Sequence, residues 1–444
     1  MLTYKNGHKK TIKTLFFLSF FLFSLLLKAY AYVEGPFVNN ITEKSAIIWW
    51  KCFPPISGKV YVGEKVFEKK IPPFEVKIKG LRPDTTYKYY LKLKNGIRLP
   101  KKGYYKFHTA FLGDKSFRFA VLADSRGLFS FIPINKRILK LLLSDIKKRK
   151  VAFVCFLGDL AYGNENKKEE ELRDKLRLWK EVASFIMHEI PIYTAIGNHD
   201  IVMHKVKTKC GDFMVDGAKK DGTIIYGEEI FADEFVNPEN SPSPEGPSSP
   251  PYKETAYSFN WGNSHFVFIN TEYWAVYPEG KKCEIYKSGN LPGKIMKNQL
   301  RWIEEDIRRA KISGAKHIFV FGHRPVFPIT EQESSTTEEA KRQIEESRKR
   351  LWAIFEKYSV DAAFFGHEHN YSRTIIGNTW QIITGGAGAP LHSIKKIRYP
   401  WKTKVRALYK GYHYCIITVK GDKVLLDVYG IKKGKIQLID HAQL

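Results

Sequence analysis

The chain has 444 residues, of which 43% are hydrophobic and 14% aromatic, and this length excludes a single ordinary hydrophobic core. We therefore expect two domains. The formal net charge of +27 attracts anions, which fits phosphorylated substrates, an anionic cell surface or nucleic acid equally well. A Lys- and Glu-rich composition is also typical of thermophilic sources, because ion-pair networks contribute more at high temperature. Charge alone therefore excludes none of these partners.

Residues 1–31 have the pattern of a secretory signal peptide. Four lysines between positions 5 and 13 precede an apolar run from Leu15 to Leu27, and an A-x-A cleavage pattern follows at 29–31. The alternative is an uncleaved membrane anchor, but a helix needs about 20 apolar residues to span a bilayer. We therefore expect export to a periplasmic, extracellular or cell-surface location, with no stable membrane span after cleavage. Removing the five lysines of this segment leaves a mature net charge of +22.

Five cysteines remain after processing. Cys52, Cys155 and Cys415 lie in apolar, strand-like runs, where a small buried thiol is the ordinary explanation. Cys210 and Cys283 lie in loop-rich sequence and are the one plausible disulfide if the compartment is oxidising.

Residues 32–111 are predicted to form a small antiparallel β-sandwich, because short strand-like runs recur between Gly and Pro turns without a helical period. The predicted strands cover 45–50, 59–62, 75–78, 87–93 and 104–107. The segment from Gly80 to Tyr87, together with the strand at Trp49, resembles fibronectin type III domains. Such domains often act as spacers or docking platforms, so we assign no chemistry here and take Trp49 and Tyr87 as core residues.

Residues 112–444 have the pattern of an α/β catalytic domain, in which apolar strands alternate with amphipathic helices. In one predicted helix, Leu172, Leu176 and Trp179 begin a series at spacings of three and four that continues to Ile186 and builds one buried face. Further helices are predicted over 135–148, 298–312 and 338–358. Two strands, 412–419 and 423–429, are expected to complete the sheet.

Residues 201–254 are predicted to be a long surface loop. Hydrophobic periodicity fails in this segment, and its Pro- and Ser-rich stretch from Asn237 to Pro251 cannot form regular structure. Loops of this length are usually disordered or act as functional lids, and this one directly follows a candidate site residue, Asn198.

Five apolar strands of the second domain end in a group able to bind a metal. In an open α/β sheet, ligands bind beyond the carboxyl ends of the strands, so these ends are expected to meet. Glycine precedes four of the five groups and permits close backbone approach. Two imidazoles two residues apart in an extended chain point the same way, which favours metal ligation over a core role for His367 and His369. The five ends carry Asp124; Asp159; Asn198 with His199 and Asp200; His323; and His367 with His369.

The donors at these ends are carboxylate, amide carbonyl and imidazole, with no thiolate. Such a set suits Fe, Mn or Zn rather than copper(I) or an iron–sulfur cluster. One carboxylate can bridge two cations about 3.5–4 Å apart, the separation that clamps the attacking and leaving oxygens in phosphoryl displacement. These residues are therefore candidates for holding two cations.

The order of these motifs resembles the calcineurin-like metallophosphoesterase superfamily over residues 115–390. The segment from Gly158 to Tyr162 further resembles the GDxxY motif of purple acid phosphatases, which also carry a fibronectin-like domain ahead of the enzyme. The resemblance implies a four-layer α/β/β/α catalytic domain and two metal ions, Fe(III) plus a divalent Fe, Zn or Mn. The residues so implied are Asp124, Tyr162 and His369 for the first metal, Asn198, His323 and His367 for the second, Asp159 as the bridge and His199 as the nearby acid.

One position departs from the resemblance. Most of the superfamily has histidine two residues after the first aspartate, and purple acid phosphatases usually have glycine, whereas this chain has Arg126. Arginine cannot ligate a cation because it stays protonated. Tyr162 as a ligand would compensate for the missing imidazole, although a packed aromatic near a turn is the alternative there. Arg126 is expected either to hold the substrate phosphate with its guanidinium or to pair with a neighbouring carboxylate.

The expected reaction is hydrolysis of phosphate monoesters, on a small molecule or a phosphorylated polymer, by in-line attack of a metal-bound hydroxide. His199 would donate a proton to the leaving alkoxide or hold the non-bridging oxygen. Two alternatives stay open: a phosphodiesterase or nucleotide-cleaving enzyme, which the basic charge favours, and a cell-surface binding protein with an inactive catalytic domain. The seven intact ligand positions count against the second.

Overall fold

The computed structural model describes residues 32–163, 167–208, 211–279, 289–330, 338–397 and 404–444. The predicted signal peptide and the predicted Cys210–Cys283 disulfide lie outside the described residues. Cys52, Cys155 and Cys415 are buried free thiols, as expected from their apolar surroundings. In the described ranges, no helix has both the length and the apolar character needed to cross a bilayer.

The N-terminal strands form two antiparallel sheets around one core. Buried side chains of both sheets, including Ile48, Trp50, Val60 and Leu91, belong to one hydrophobic cluster. The predicted β-rich sandwich is therefore present, while its likeness to fibronectin type III stays a prediction. One sheet consists of β1 (Tyr32–Asn39), β2 (Ser45–Phe53) and β5 (Phe74–Lys79), and the other of β4 (Lys65–Lys69), β3 (Gly58–Val62), β6 (Thr86–Leu93) and β7 (Arg98–Leu99), with β8 (Tyr105–His108) paired to β6.

Two larger sheets make up the centre of the remaining chain. In spatial order, the first consists of β13 (Ile192–Ala195), β12 (Phe153–Leu157), β9 (Phe117–Leu122), β26 (His413–Lys420), β27 (Lys423–Lys432) and β28 (Lys435–Gln443). The second consists of β18 (Tyr257–Trp261), β19 (Ser264–Phe268), β21 (His317–Phe321), β22 (Ala362–Phe365), β24 (Thr379–Thr384), β23 (Tyr371–Ile376) and β25 (Val405–Tyr409).

The two large sheets pack face to face because their strands are apolar on both faces. Along β9, Phe119 and Val121 join the cluster between the sheets, where the ring of Phe119 is 5.2 Å from that of Phe266 on β19. Ala120 and Leu122 join a second cluster on the opposite face. Parallel strands buried on both faces are expected to be apolar throughout rather than alternating.

Helices cover the outer faces of both sheets and give the four layers implied by the resemblance. Leu139 of α1 (Lys136–Lys148) and Leu172 of α2 (Glu169–Met187) belong to the outer cluster of the first sheet. Ile303 of α4 (Lys297–Ile312) and Leu351 of α5 (Glu338–Lys357) pack on the second sheet with Val320. All four helices begin and end within a few residues of the predicted positions.

The segment 201–254 differs from its prediction, since much of it is regular. It contains β14 (Met203–Thr208), β15 (Gly211–Asp216), β16 (Ala218–Lys220), β17 (Thr223–Ile225) and α3 (Gly227–Glu234). Each of these strands is too brief to repeat a hydrophobic pattern, and β15 also pairs with β20 (Val276–Glu279), about sixty residues later. The Pro- and Ser-rich stretch forms no strand or helix, as predicted, and its Glu245 accepts hydrogen bonds from backbone N–H groups at the start of α4.

The β-sandwich contacts the first large sheet and its helices directly. Trp49 is buried as predicted, but it packs with the cluster around α2 and not inside the sandwich. Tyr87 is only partly buried, and its hydroxyl accepts a hydrogen bond from the Arg82 N–H. At the same boundary, the Asn39 amide donates to the Val236 carbonyl at 2.6 Å.

Glu254 makes the stability of this boundary dependent on pH. Its Oε2 accepts the Asn237 N–H at 2.6 Å, and burial raises the pKa of Glu254 from 4.5 to about 8. A raised carboxyl pKa contributes stability that is complete below pH 4.5 and is lost as the pH rises through about 8. We expect Glu254→Gln, whose amide oxygen still accepts this hydrogen bond, to raise Tm above pH 8 and not below pH 4.5.

Thermal unfolding followed by circular dichroism at both pH values checks this prediction. Glu239→Gln is the matched control, because that side chain is 69% exposed. An equal change in Tm at both pH values for Glu254→Gln would contradict it.

Candidate metal centre

Strand ends from both large sheets meet at one rim. In the first sheet, β9, β12 and β13 run parallel and carry Asp124, Asp159 and Asn198 just beyond their carboxyl ends. In the second, β21 and β22 run parallel and carry His323 and His367. The sequence predicted this convergence from the rule for open sheets. The two facing sheets of the four-layer fold achieve it because their carboxyl edges lie side by side.

Asn198 lies between two histidines in one half of this site. Its Oδ1 is 3.1 Å from His323 Nε2 and 3.0 Å from His367 Nδ1. An amide oxygen and two imidazole nitrogens therefore point at a common space.

Two carboxylates and a histidine form the other half. Asp124, Asp159 and His369 each offer one ligand atom, and these atoms lie within 4.8 Å of one another. Asp124 Oδ1 is buried, lies 3.5 Å from His369 Nε2 and accepts no hydrogen bond from any described residue. Asp159 joins the two halves, since its Oδ1 is 3.3 Å from His323 Nε2.

The backbone at this rim is held in costly conformations. Asp124, Asp159 and His367 have φ angles of 65°, 52° and 68°, in the left-handed region that non-glycine residues rarely adopt. A Cβ at Gly197 would lie 2.5 Å from Asp159 Oδ1, and one at Gly366 would lie 2.5 Å from Asp124 Oδ2. At Gly197 and Gly366, the predicted need for glycine therefore comes from the lack of space beside a carboxylate.

Asp159 is an anion held among cationic or polarisable neighbours. Burial alone would raise the pKa of its carboxyl, but His323, His199 and Arg126 outweigh burial and hold that pKa below its usual range. Conversely, burial would lower the pKa of His323, and the charges of Asp159 and Asp124 raise it. Asp159 is therefore an anion whose charge a bound cation would neutralise.

The orientation of two histidines suits metal ligation. His323 Nδ1 donates to the Leu157 carbonyl at 2.8 Å, and His369 Nδ1 donates to the Pro390 carbonyl at 2.7 Å. A carbonyl can only accept, so each neutral ring keeps its lone pair on Nε2, the nitrogen that faces the site. In metal-binding histidines, the ring nitrogen that does not face the metal, here Nδ1, usually donates a hydrogen bond in this way.

The tautomer of His367 is less suited to binding a cation. Its Nε2 is 2.7 Å from Arg324 Nη1, and arginine only donates, so the neutral ring carries its proton on Nδ1 towards Asn198. Ligation through Nδ1 requires that this proton move and that the contact with Arg324 open. Burial and the charge of Arg324 both lower the pKa of His367, which keeps the ring neutral.

His199 lies beside the bridging carboxylate. Its Nδ1 accepts the Gly163 N–H at 3.1 Å, so the neutral ring holds its proton on Nε2, 3.8 Å from Asp159 Oδ2. Burial, which is the main cause, lowers the pKa of His199 to about 3.

The other two predicted site residues lie at the edge of the same space. The Tyr162 ring centroid is 5.2 Å from that of His199, and the Arg126 guanidinium carbon lies 5.8 Å from the Tyr162 ring. Arg126 Nε is 3.6 Å from Asp159 Oδ2, so the predicted ion pair with a neighbouring carboxylate is present.

Residues 117–371 match the sequence model of the calcineurin-like phosphoesterases, which covers more than half of the chain. The chain belongs to this family. Among related proteins, acid phosphatase type 7 of Mus musculus is 22% identical over 353 residues, and probable inactive purple acid phosphatase 1 of Arabidopsis thaliana is 24% identical over 370 residues. The matches cover 75% and 76% of this chain, and the chain spans 64% and 51% of those two proteins.

Two solved structures share the fold of nearly the whole chain. The purple acid phosphatase PPD1 from yellow lupin (Lupinus luteus) seeds superposes with a TM-score of 0.64 at 18% identity, covering 94% of this chain and 74% of its own. The structure of PhoD gives 0.62 at 13% identity, covering 92% and 88%. The mixed α/β fold with an N-terminal β-rich region is therefore that of purple acid phosphatases.

Asp200 supports the candidate metal site, although sequence reasoning gave it no role. Its buried carboxylate accepts the N–H groups of Asp159 and Gly197 at 2.7 and 2.9 Å through Oδ2, and that of Leu160 at 3.0 Å through Oδ1. The carboxylate thereby fixes two ligand-bearing turns against each other. The visible signal was its place directly after Asn198 and His199.

A sixth strand end of the phosphoesterase site was also missed. Glu272 follows β19 and is fully buried, and its Oε1 is 2.5 Å from Arg324 Nε. The same arginine contacts His367, so Glu272 orients a ligand through one intermediate side chain. An apolar strand ending in a carboxylate was the available signal, but three residues separate Glu272 from the last residue of the strand.

Proposed function

We propose that the chain is an exported phosphoesterase that hydrolyses phosphate monoesters at a dinuclear metal centre, in the manner of purple acid phosphatases. The observation that carries the proposal is the convergence of carboxylate, amide and imidazole donors around Asp159, none of them a thiolate. The relatives named acid phosphatase support a monoester substrate. Export is supported by the signal-like sequence of residues 1–31.

The donor set fits a pair of cations, because Asp124 has a buried oxygen without a hydrogen bond and two histidines aim a lone pair at the same space. Two bound cations would activate water as a nucleophile and neutralise charge on the phosphoryl oxygens. We propose Fe(III) with a divalent Fe, Zn or Mn. The holding residues would be Asp124, Tyr162 and His369 for one cation, Asn198, His323 and His367 for the other, and Asp159 for both.

His199 and Arg126 would lie beside the two cations and contact the substrate. His199 holds a proton on Nε2 facing the site, so its neutral ring would donate a hydrogen bond to the leaving oxygen or to a phosphoryl oxygen. Arg126 already lies near Asp159, and its guanidinium would bind a substrate phosphate as that carboxylate turns to the cations.

Hydrolysis of a mono- and a bis-aryl phosphate after loading with iron, zinc or manganese tests the proposal. Faster cleavage of the monoester is expected. Preference for the diester would favour the phosphodiesterase alternative. No cleavage of either by fully loaded protein would favour the inactive binding protein, an alternative that gains weight because some relatives are named probable inactive purple acid phosphatases. A visible absorption band of the iron-loaded protein, lost in Tyr162→Phe, would support the tyrosine ligand.

We expect Arg126→Ala to raise KM for the monoester about tenfold or more while both metals stay bound, because one charge-assisted contact to phosphate is lost. Steady-state kinetics with metal analysis checks this. Arg118→Ala, on the amino-terminal part of β9, is the matched control and should leave KM unchanged. Unchanged kinetics in Arg126→Ala would leave only the ion pair with Asp159 as its role.

A further inference from the structure

A protruding apolar hairpin stands beside the metal site. It is formed by β10 (Arg126–Phe129) and β11 (Ile132–Ile134), and its tip exposes Leu128, Phe129, Phe131 and Ile132 by 56%, 47%, 77% and 53%. These are four of the fourteen exposed large hydrophobic side chains in the described ranges, within five consecutive residues. Single exposed hydrophobic residues are normal, but a contiguous exposed cluster marks an interaction surface.

The hairpin is a built element with a fixed base. Arg126 pairs with Ile134 and Phe129 with Ile132, and the rings of Phe129 and Phe131 stack with centroids 5.1 Å apart. Close strand approach requires Gly127, where a Cβ would lie 1.7 Å from the Ile132 carbonyl oxygen. The paired backbone of the hairpin therefore holds these apolar side chains towards solvent.

Contacts at the base tie the hairpin to the metal site. The Pro133 carbonyl accepts the Tyr162 N–H at 2.7 Å, and the Asn135 N–H donates to the Ser125 carbonyl at 3.0 Å. The Asn135 side-chain amide donates to Gly388 at 2.9 Å. These contacts connect the base of the hairpin to the proposed catalytic rim.

Exposed cations surround the base of the hairpin. Lys136, Arg137 and Lys140 are exposed in the first turns of α1, which has no acidic residue in its first turn. The start of a helix favours anions, so cations there lower helix stability slightly. Their placement is therefore unexplained by the helix itself and fits attraction to an external anionic surface.

We propose that this hairpin docks the protein on an anionic lipid bilayer, with the apolar tip in the interface and the basic residues at the headgroups. An apolar tip with cations behind it follows the depth order of interfacial anchors. Leu128, Phe131 and Ile132 also line one side of an open groove whose other side includes Pro390 and Tyr412. The exposed cations beside the tip complement anionic headgroups, which favours a lipid surface over a small apolar ligand. The inference goes beyond the proposed function and does not depend on metal loading.

A dye that reports polarity, attached at the tip through Ser130→Cys, tests the proposal on the full chain. We expect its emission to shift to the blue with vesicles of phosphatidylcholine plus phosphatidylglycerol, and much less with phosphatidylcholine alone. Glu64→Cys, on an exposed turn of the β-sandwich, is the matched control, and the parent chain treated with dye corrects for native cysteines. In the Ser130→Cys chain, Lys136→Glu/Arg137→Glu/Lys140→Glu should weaken the vesicle titration at least about tenfold.

A dye at position 130 that stays in water with both vesicle types would overturn the proposal. An unchanged titration after the charge reversal would also overturn it, provided circular dichroism shows that the variant is folded. If the dye shifts without vesicles as protein concentration rises, the hairpin joins copies of the chain and the membrane proposal is wrong.

Discussion

Replacing Asp159 with alanine is expected to lower kcat/KM for a phosphate monoester at least about a thousandfold and to leave fewer than two metals per chain. Asp159 is the carboxylate that both halves of the site share, with Oδ1 near His323 and Oδ2 near Arg126. Without it, two cations would repel each other with no anion between them, and Arg126 would add to the repulsion.

Metal analysis and steady-state kinetics of purified Asp159→Ala check this expectation. Asp422→Ala is the matched control, because that carboxylate is 84% exposed and surface ion pairs contribute little. Two metals per chain and a parental rate in Asp159→Ala would remove Asp159 from the bridging position.

Lys180→Met is expected to lower the free energy of unfolding by about 3–5 kcal/mol. The Lys180 ammonium is fully buried on α2, 2.5 Å from Glu34 Oε1 of the β-sandwich and 2.6 Å from Glu234 Oε2 at the end of α3. Burial opposes the charge of Glu234, but Lys180 and Lys51 outweigh burial and lower its pKa to about 2. Removing the ammonium leaves two carboxylates buried near each other.

Chemical denaturation measures this loss, with Lys147→Met as the matched control. Lys147 pairs with Glu189 at 2.8 Å in a partly exposed position, where a loss of up to about 1 kcal/mol is expected. Lys180→Met/Glu34→Gln should recover part of the stability, because one uncompensated charge is removed. Equal losses in Lys180→Met and Lys147→Met would refute the buried contact between the sandwich and the catalytic sheets.

Local signals in the sequence predicted most helices and the strand ends of the site. The helix predicted over 338–358 spans Glu338–Lys357, because its apolar spacing and its ends depend on neighbouring residues only. The donors after β9, β12, β13, β21 and β22 were visible because each follows a continuous apolar run. Six of the predicted ligands approach one another as expected from a shared sheet edge.

Non-local contacts explain what was missed. The two facing sheets were implied by the resemblance alone, because the pairing of β19 with β21 joins distant segments that no local pattern connects. The pairing of β15 with β20 also joins distant segments, which made 201–254 look irregular. The strand β28 was not predicted, because exposed and partly buried residues alternate weakly along it.

The roles of supporting side chains were equally hidden. Asp200, Glu272 and Arg324 act through hydrogen bonds to residues far away in the chain, and no spacing rule foretells such partners. Trp49 was correctly predicted to be buried, but which side of its strand faces α2 depends on how the sandwich meets the catalytic sheets.

Anomalous scattering from crystals of the metal-loaded protein, measured at the iron, zinc and manganese edges, tests the central claim most directly. The predicted result is two peaks about 3.5–4 Å apart on either side of the Asp159 carboxylate. One peak should lie next to Asp124 and His369, and the other next to Asn198 and His323. A single peak, or none within reach of Asp159, would contradict the dinuclear site.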